Sequence, residues 1–435
     1  MMKYGNAIPA AAVIGAGPAG ISAALAAASC FRGRGKVLLF ERRSMAASKI
    51  LSTGNGRCNI TNEAMGEEFY HSSSGFDCSA LFREFTTESL LAPLTREGVF
   101  FHSRGGYVYP ADDRAATVRE AMEAIARSPG ITYMPETGIA DVRLDPEAEE
   151  PFILRSDDGR SFAASKLVIT CGGLAAPAAG STGDGLSFAG ALGHRLVRPL
   201  PALVPLTVKE NYVHFAGGVR TEAVLTLTVD GRRAAASTGE VQFTRNGISG
   251  IPVFQLSAPA LRALDEGRRA VIEADFISPL ASGGKDAYVP AAGFNPGWED
   301  FSRARVQNPG ERTAGRLFDG AVHPDIGRMT AESLGIPAEK KAARLDRAAL
   351  EKLIKRLSSL PFTISGSAGF ERAQTTSGGV AGDELTPDGE SRLVPGLFFA
   401  GEVVDVDGLC GGYNLTFAML SGRAAGTAAA RSLLR

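Results

Sequence analysis

Residues 11–41 read AAVIGAGPAGISAALAAASCFRGRGKVLLFE, and the fold turns on how this stretch is read. Val13-Ile14 close a short apolar run with the character of a buried strand. Gly15-Ala16-Gly17-Pro18-Ala19-Gly20 follows, and Ile21 to Ala28 is rich in Ala and Leu, good helix formers. A second apolar run, Lys36 to Phe40, ends on Glu41. Strand, glycine turn, helix, strand and an acid about 20 residues beyond the glycines make the fingerprint of a dinucleotide-binding unit.

Each position has a physical task in that reading. Gly15 permits the tight turn, Gly17 lets backbone N–H groups approach a pyrophosphate, and Gly20 allows the helix to pack on the strand. Pro18 and Ala19 complete the phosphate turn, where the helix offers unpaired N–H donors and a partial positive charge. Glu41 accepts hydrogen bonds from ribose hydroxyls, with Arg42 beside it. A membrane span is the rival, since Ala10 to Cys30 carries no charge; three glycines and a proline in its first half argue against it. Lys3 alone makes a poor basic region for a signal peptide.

Bulk composition narrows the function classes. The chain has 435 residues, enough for two or three domains, and 44% apolar residues support a sizeable core. A net charge of -1 and the lack of a long basic run predict no nucleic-acid partner and no membrane partner. Five cysteines, Cys30, Cys58, Cys78, Cys171 and Cys410, show no CxxC spacing. They read as reduced thiols of a cytoplasmic protein, and no metal site is expected.

Further along, Lys49 to Asn62 reads KILSTGNGRCNITN, glycine-rich and without helical or strand period. Lys49, Gly54, Gly56, Arg57 and Asn59 suit a loop laid against a cofactor. Cys58 beside Arg57 reads either as a thiol of lowered pKa or as a small buried thiol. Ser79 to Arg127 looks helical, interrupted near 100–110 by a hairpin with Tyr107 and Tyr109 on one face. Leu167 to Gly173 is a strand ending on Gly172 and Gly173, and Leu186 to Leu192 is helical. From Arg198 the pattern turns to short strands, with Asp230-Gly231 as a hairpin turn and Val253 to Leu256 continuing the β pattern. Gly283 to Gly315 is irregular. Asp319 to Arg356 is helical at both ends, with Asp346 as N-cap and Leu350, Leu353, Ile354 and Leu357 on one face. Pro361 to Gly366 returns toward the first domain. Leu397 to Glu402 is a strand ended by Gly401 and an acid, and Gly411-Gly412-Tyr413-Asn414 opens a helix from about Leu415 to Ala430. A strand-end acid suits a ribityl hydroxyl, and a helix N-terminus suits negative charge on a reduced flavin.

AVIGAGPAG, KILSTGNGRCNITN, GEVQFTRNGISG, TTSGGV and LVPGLFFAGEVVDVDGLCGGYNLTFAMLSGRAAG together resemble the aminoacetone-oxidase-type family of FAD-binding, NAD(P)/FAD-dependent oxidoreductases, over nearly the whole chain. The resemblance implies an α/β fold: a glutathione-reductase-like FAD-binding Rossmann domain (1–197 and 366–435), an inserted β-barrel-like domain (198–282 and 358–365) and a small, partly helical domain (283–357). It implies that Gly15, Gly17 and Gly20 hold the pyrophosphate, Glu41 the adenosine ribose, and Lys49 to Asn59 the flavin. Glu402 or Asp405 meets the ribityl chain, and Gly412, Tyr413, Asn414 and Leu415 lie by the isoalloxazine. The family pattern commonly has Gln where this sequence has Thr416. Some relatives look like reductases of unsaturated bile-acid intermediates, which implies ene reduction.

The expected function is therefore FAD-dependent hydride transfer between a small-molecule substrate and flavin N5, with NAD(P)H or oxygen as second redox partner. Candidate catalytic residues are Tyr413, Cys58, His102 and Tyr107. Two rivals stand beside it: a flavin-binding protein with a regulatory, RNA or protein-interaction role, and a Rossmann enzyme using NAD alone. The Gly401-Glu402 and Gly411-Gly412 pair speaks against the last, which has no flavin to seat there.

Overall fold

The computed structural model describes residues 11–83, 86–281 and 297–434. The fingerprint forms as its residues dictate: strand Ala11–Ile14, helix Pro18–Phe31 and strand Val37–Phe40. Gly15 takes φ +99°, which favours glycine. A Cβ at Gly20 would stand 1.8 Å from the Gly15 carbonyl oxygen, so only glycine lets this helix lie so close to its strand.

The two strands belong to a five-stranded parallel sheet in the order 397–399, 166–169, 11–14, 37–40, 131–134. Its inner strands are almost continuously apolar because both faces are covered, the usual state of parallel sheets. The last helix, Tyr413–Leu433, packs along Pro18–Phe31 on small residues. A Cβ at Gly422 would stand 2.1 Å from the Ala19 carbonyl oxygen, and one at Gly426 2.0 Å from that of Ala23. The uncharged stretch from Ala11 to Cys30 is thus strand and buried helix. Among the described residues no helix is long and apolar enough to cross a membrane.

The chain divides into two compact units, one of residues up to Ala202 and from Gln374 onward, the other Leu203–Ala373. In the second unit six strands close a barrel in the order 206–208, 247–249, 232–243, 220–229, 270–275, 360–367. Asp230 and Gly231, at φ +50° and +77°, join two of its strands as a two-residue hairpin turn of the kind that needs positive φ at both positions. One expectation fails here. Val253 to Leu256 is not strand but part of helix Ile251–Asp265, where Pro252 starts the helix and Val253, Leu256, Ala260 and Leu261 are buried at helical spacing. Pro361 to Gly366 lies within barrel strand Leu360–Ser367, paired to 270–275 and 206–208. The helices Trp298–Gln307, Pro324–Ser333 and Arg347–Leu357 also belong to this unit, the last capped by the Asp346 carboxylate accepting from Ala349 N at 2.7 Å. Leu350, Leu353 and Leu357 form its buried face. The expectation for 283–315 falls partly outside the described residues.

Candidate cofactor and substrate site

At the fingerprint turn, helix Pro18–Phe31 begins on Gly17 with no side-chain cap, and a Cβ at Gly17 would meet nothing within 4 Å. Open space before uncapped N–H donors is a cradle for an anion. Glu41 lies beside it, Oε2 accepting from Ala16 N at 3.0 Å and Oε1 from Arg43 N at 2.9 Å. Burial pushes the Glu41 carboxyl up, and those two backbone donors oppose the shift. Two carboxylate oxygens taking one bond each retain lone pairs for hydroxyl donors.

Beyond the turn, the chain brings together residues far apart in sequence. The half-buried Lys49 Nζ sits 2.8 Å from Glu402 Oε2. Glu402 Oε1 accepts from Thr376 N and Oγ1 at 3.1 and 2.9 Å, and Thr376 Oγ1 accepts from Leu174 N and Ala175 N. Gly173 closes the ring, since a Cβ there would stand 2.4 Å from Thr376 Oγ1 and 2.9 Å from Glu402 Oε1. Gly172 precedes it at φ +74°. Thr376 was not among the expected site residues; its signal was the TTSGGV run, six buried residues of strand Thr375–Val380. Asp405 is fully buried: Oδ2 accepts from Ser74 N and Oγ at 2.8 and 2.7 Å, while the buried Oδ1 has no partner.

The loop from Ser48 is not structureless. It is a 3₁₀ segment, Ser48–Gly56, broken at Thr53, Gly54 and Asn55, with Gly54, Asn55, Gly56 and Cys58 at positive φ. Asn59 lies on the way to strand Thr61–Asn62, which pairs with the hairpin Phe101–Arg104/Tyr107–Pro110. That pairing carries Tyr107 to the start of the last helix. A Cβ at Gly411 would stand 2.9 Å from Tyr107 Cε1 and 3.0 Å from Tyr413 Cε2. Gly412, at φ +89°, begins the helix without a side-chain cap. Asn62 Nδ2 donates to the Gly411 carbonyl at 3.3 Å, Phe69 stacks on Tyr413 at 4.8 Å, and Tyr70 donates to the Tyr413 carbonyl at 2.9 Å. Burial pushes the Tyr107 and Tyr413 phenols up, so both keep their protons at neutral pH.

Several expected residues are used differently. The Cys58 thiol is fully buried, and burial pushes it up to about 12. A thiolate is therefore excluded near neutral pH, and Cys58 is a small core side chain. His102 points its Nε2 at Asp113 Oδ1, 3.1 Å away, and stacks on Tyr109. The Arg42 guanidinium is drawn to Asp184 at 2.7 Å and Asp157 at 3.5 Å. Asn414 closes on Gly408, accepting from its N and donating to its carbonyl, both at 2.9 Å. Leu415 is half-buried against the core. Thr416 donates to Thr61 Oγ1 at 2.8 Å, a buried bond a longer side chain would displace.

The model of the HI0933-like protein Rossmann domain matches residues 9–428. The chain belongs to the HI0933-like FAD-binding Rossmann family. Within this family of flavin-dependent oxidoreductases, the chain is 36% identical over 419 residues to the 3-dehydro-bile acid delta(4,6)-reductase of Clostridium scindens, covering 96% of this chain and 98% of the relative. It is 27% identical over 416 residues to the ribosomal RNA dihydrouridine synthase of Escherichia coli K12, covering 94% and 95%. Among solved structures, a variant of the E. coli quinol fumarate reductase FrdA aligns over 98% of this chain and 70% of its own, at 15% identity and a TM-score of 0.48. The aminoacetone-oxidase name gains no support from these similarities. The residues fit the HI0933-like family's FAD: two uncapped glycine-started helix ends, an open cradle at Gly17, and a buried carboxylate oxygen on Asp405 that lacks a donor.

Proposed function

We propose that this chain is an FAD-dependent ene reductase that reduces a carbon–carbon double bond conjugated to a carbonyl in a small, ring-bearing substrate, drawing its electrons from NAD(P)H. The observation that carries the reading is the junction of Tyr107 with Gly411 at the uncapped start of the last helix. A phenol that keeps its proton stands there beside a helix N-terminus that favours negative charge. Bound FAD supplies the hydride at N5. Gly15, Gly17, Pro18, Ala19 and Gly20 hold the pyrophosphate and Glu41 the ribose. Lys49, Gly172, Gly173, Gly401, Glu402 and Asp405 hold the ribityl side, and Gly54, Gly56, Asn59, Gly412 and Tyr413 frame the ring. Tyr107 Oη would give the proton to the carbon next to the substrate carbonyl, the far carbon of the same double bond being the one that the cofactor's hydride chemistry would serve. The relationship to a 3-dehydro-bile acid reductase supports this chemistry. We further propose that the second unit divides into the barrel and a small, partly helical domain to which the described residues 297–357 belong, and that the enzyme is cytoplasmic.

A second reading reduces uridine in ribosomal RNA, another double bond conjugated to a carbonyl. One observation favours it: between Lys340 and Arg356, seven basic residues stand against two acids, Asp346 and Glu351. Lys340, Lys341, Arg344, Arg347, Lys352 and Lys355 are exposed. Anaerobic reduction of the purified holoenzyme by NADH or NADPH, followed by mixing with a 3-oxo-4,6-diene steroid acid or with unmodified ribosomal RNA, decides between them. The steroid reoxidises the flavin in the leading reading; reoxidation by RNA alone replaces it with the second. Tyr107→Phe slows that reoxidation by roughly 10²-fold or more. A colourless protein that takes up no FAD removes both.

A further inference from the structure

We propose that Arg57 and Arg104, set around the His102–Asp113 pair, form an anion-binding corner that takes the carboxylate of a small, largely apolar acid. The inference deepens the ene-reductase reading and rests on it for which part of the acid reacts.

Hairpin register supplies the geometry. His102 lies opposite Tyr109 and Arg104 opposite Tyr107. Opposed and alternate residues of an antiparallel pair share a face, so all four side chains stand on one side of the hairpin. His102 and Tyr109 stack there at 5.8 Å. The chain then turns back at Asp113, whose φ is +53° and whose N donates to the Pro110 carbonyl. This turn sets the Asp113 carboxylate against His102 Nε2 at 3.1 Å and Arg104 at 3.3 Å. From the other side, strand Thr61–Asn62 lies along Tyr107–Pro110, with Ile60 N donating to the Val108 carbonyl at 2.9 Å. Arg57 comes just before this paired segment, close enough that its charge acts on both Asp113 and Tyr109.

The charges do not cancel. His102 and Arg104 hold the Asp113 carboxyl below the usual range, so it is ionised. Arg104 pairs with that carboxylate at 3.3 Å and the charge of Arg57 acts on it as well, so two exposed guanidinium groups stand against the one carboxylate of this pair. Guanidinium forks match a planar carboxylate. The same hairpin face runs to Tyr107 at Gly411, and nearby lie Phe69 stacked on Tyr413 and the exposed Leu409, whose N donates to the Phe69 carbonyl. An apolar body beside one excess charge suits a single-headed organic acid. A nucleic acid strand needs a track of cations along successive phosphates.

The test is equilibrium binding to the FAD-loaded enzyme, followed by the flavin difference spectrum, with cholate and cholate methyl ester as probes. Neither has a double bond to reduce, so binding is read apart from turnover. The wild type prefers the acid over the ester by about tenfold. Arg57→Met and Arg104→Met each lower that preference by about threefold or more, and Asp113→Asn raises it by removing the competing carboxylate. Flavin content is measured for every variant; Arg104→Met carries the test if Arg57→Met loses FAD. No acid preference in the wild type overturns the proposal, as does equal weakening of both probes in the arginine variants. An Asp113→Asn variant that weakens acid binding overturns it too, since that marks Asp113 as a structural brace. A single-stranded RNA oligonucleotide whose affinity follows the variants while cholate's does not also overturns it. If the preference follows the variants but no diene is reduced, the corner stands and the ene-reductase reading falls.

Discussion

The packing of the first and last helices gives the sharpest stability prediction. Gly422 and Gly426 lie one turn apart on Tyr413–Leu433, and Cβ atoms there would stand 2.1 and 2.0 Å from the Ala19 and Ala23 carbonyl oxygens of Pro18–Phe31. Ordinary contact begins near 3.4 Å, so the helices must part by more than 1 Å, and backbone oxygens cannot rotate aside. Overpacking of this kind costs about 1–3 kcal/mol per site. Alanine returns about 1 kcal/mol of helix propensity at each. Both sites share one displacement, so the net loss for Gly422→Ala with Gly426→Ala is about 1–3 kcal/mol, short of the additive limit of about 4 kcal/mol. At roughly 2–4 °C per kcal/mol for a unit of this size, the Tm falls by about 2–12 °C. Because both helices begin at the candidate cofactor site, FAD release during purification rises as well. The internal control is Gly190→Ala, on the exposed side of helix Asp184–Ala191, where a Cβ meets only Leu196 Cδ1 at 3.7 Å. That change stabilises by about 0.5–1 kcal/mol. Thermal unfolding followed by circular dichroism and by flavin fluorescence reads all three proteins. A double variant as stable as Gly190→Ala refutes the close-packing argument.

Two further outcomes follow from buried titratable groups. With its thiol pushed up to about 12 and no exposed surface, Cys58 stays unlabelled by iodoacetamide in the native protein at pH 8; peptide mapping that finds it alkylated before unfolding contradicts the burial argument. His194 is enclosed by Glu384 at Nδ1 (3.0 Å) and by Ser391 Oγ at Nε2 (2.9 Å), and Arg195 pairs with Asp383 alongside. Ser391 Oγ already accepts from Leu393 N and Val394 N, so its own proton goes to Nε2 and the ring is neutral with its proton on Nδ1. Burial lowers the His194 pKa against the pull of Glu384. The unfolded chain therefore binds a proton that the folded chain refuses, and stability is lost as pH falls below about 6.5. The Tm drops between pH 7.5 and 5.5, and His194→Gln flattens that drop; an undiminished slope in the variant rules His194 out as its source.

What the sequence determined is what short segments decide alone. The glycine turn, its helix and Glu41 were legible because a positive φ at Gly15, an open cradle at Gly17 and close packing at Gly20 are properties of single residues in a fixed local order. The Asp230-Gly231 hairpin and the Asp346 cap belong to the same class. Where an apolar run suits strand and helix alike, as at Val253 to Leu256, the local pattern misled, and the burial of Val253, Leu256, Ala260 and Leu261 at helical spacing decided it. Only the tertiary structure joined Lys49 to Glu402, Thr376 to Leu174 and Ala175, and Tyr107 to Gly411. Those pairs lie hundreds of residues apart, and contact between them depends on tertiary pairings: the parallel sheet for the loops that follow its strands, strand Thr375–Val380 against 196–202, and strand Thr61–Asn62 against the hairpin. Cys58 shows the same division: its neighbour Arg57 left a lowered thiol pKa open beside the small buried thiol, and desolvation by the surrounding core decides for the buried thiol, because burial exists only once the chain has folded.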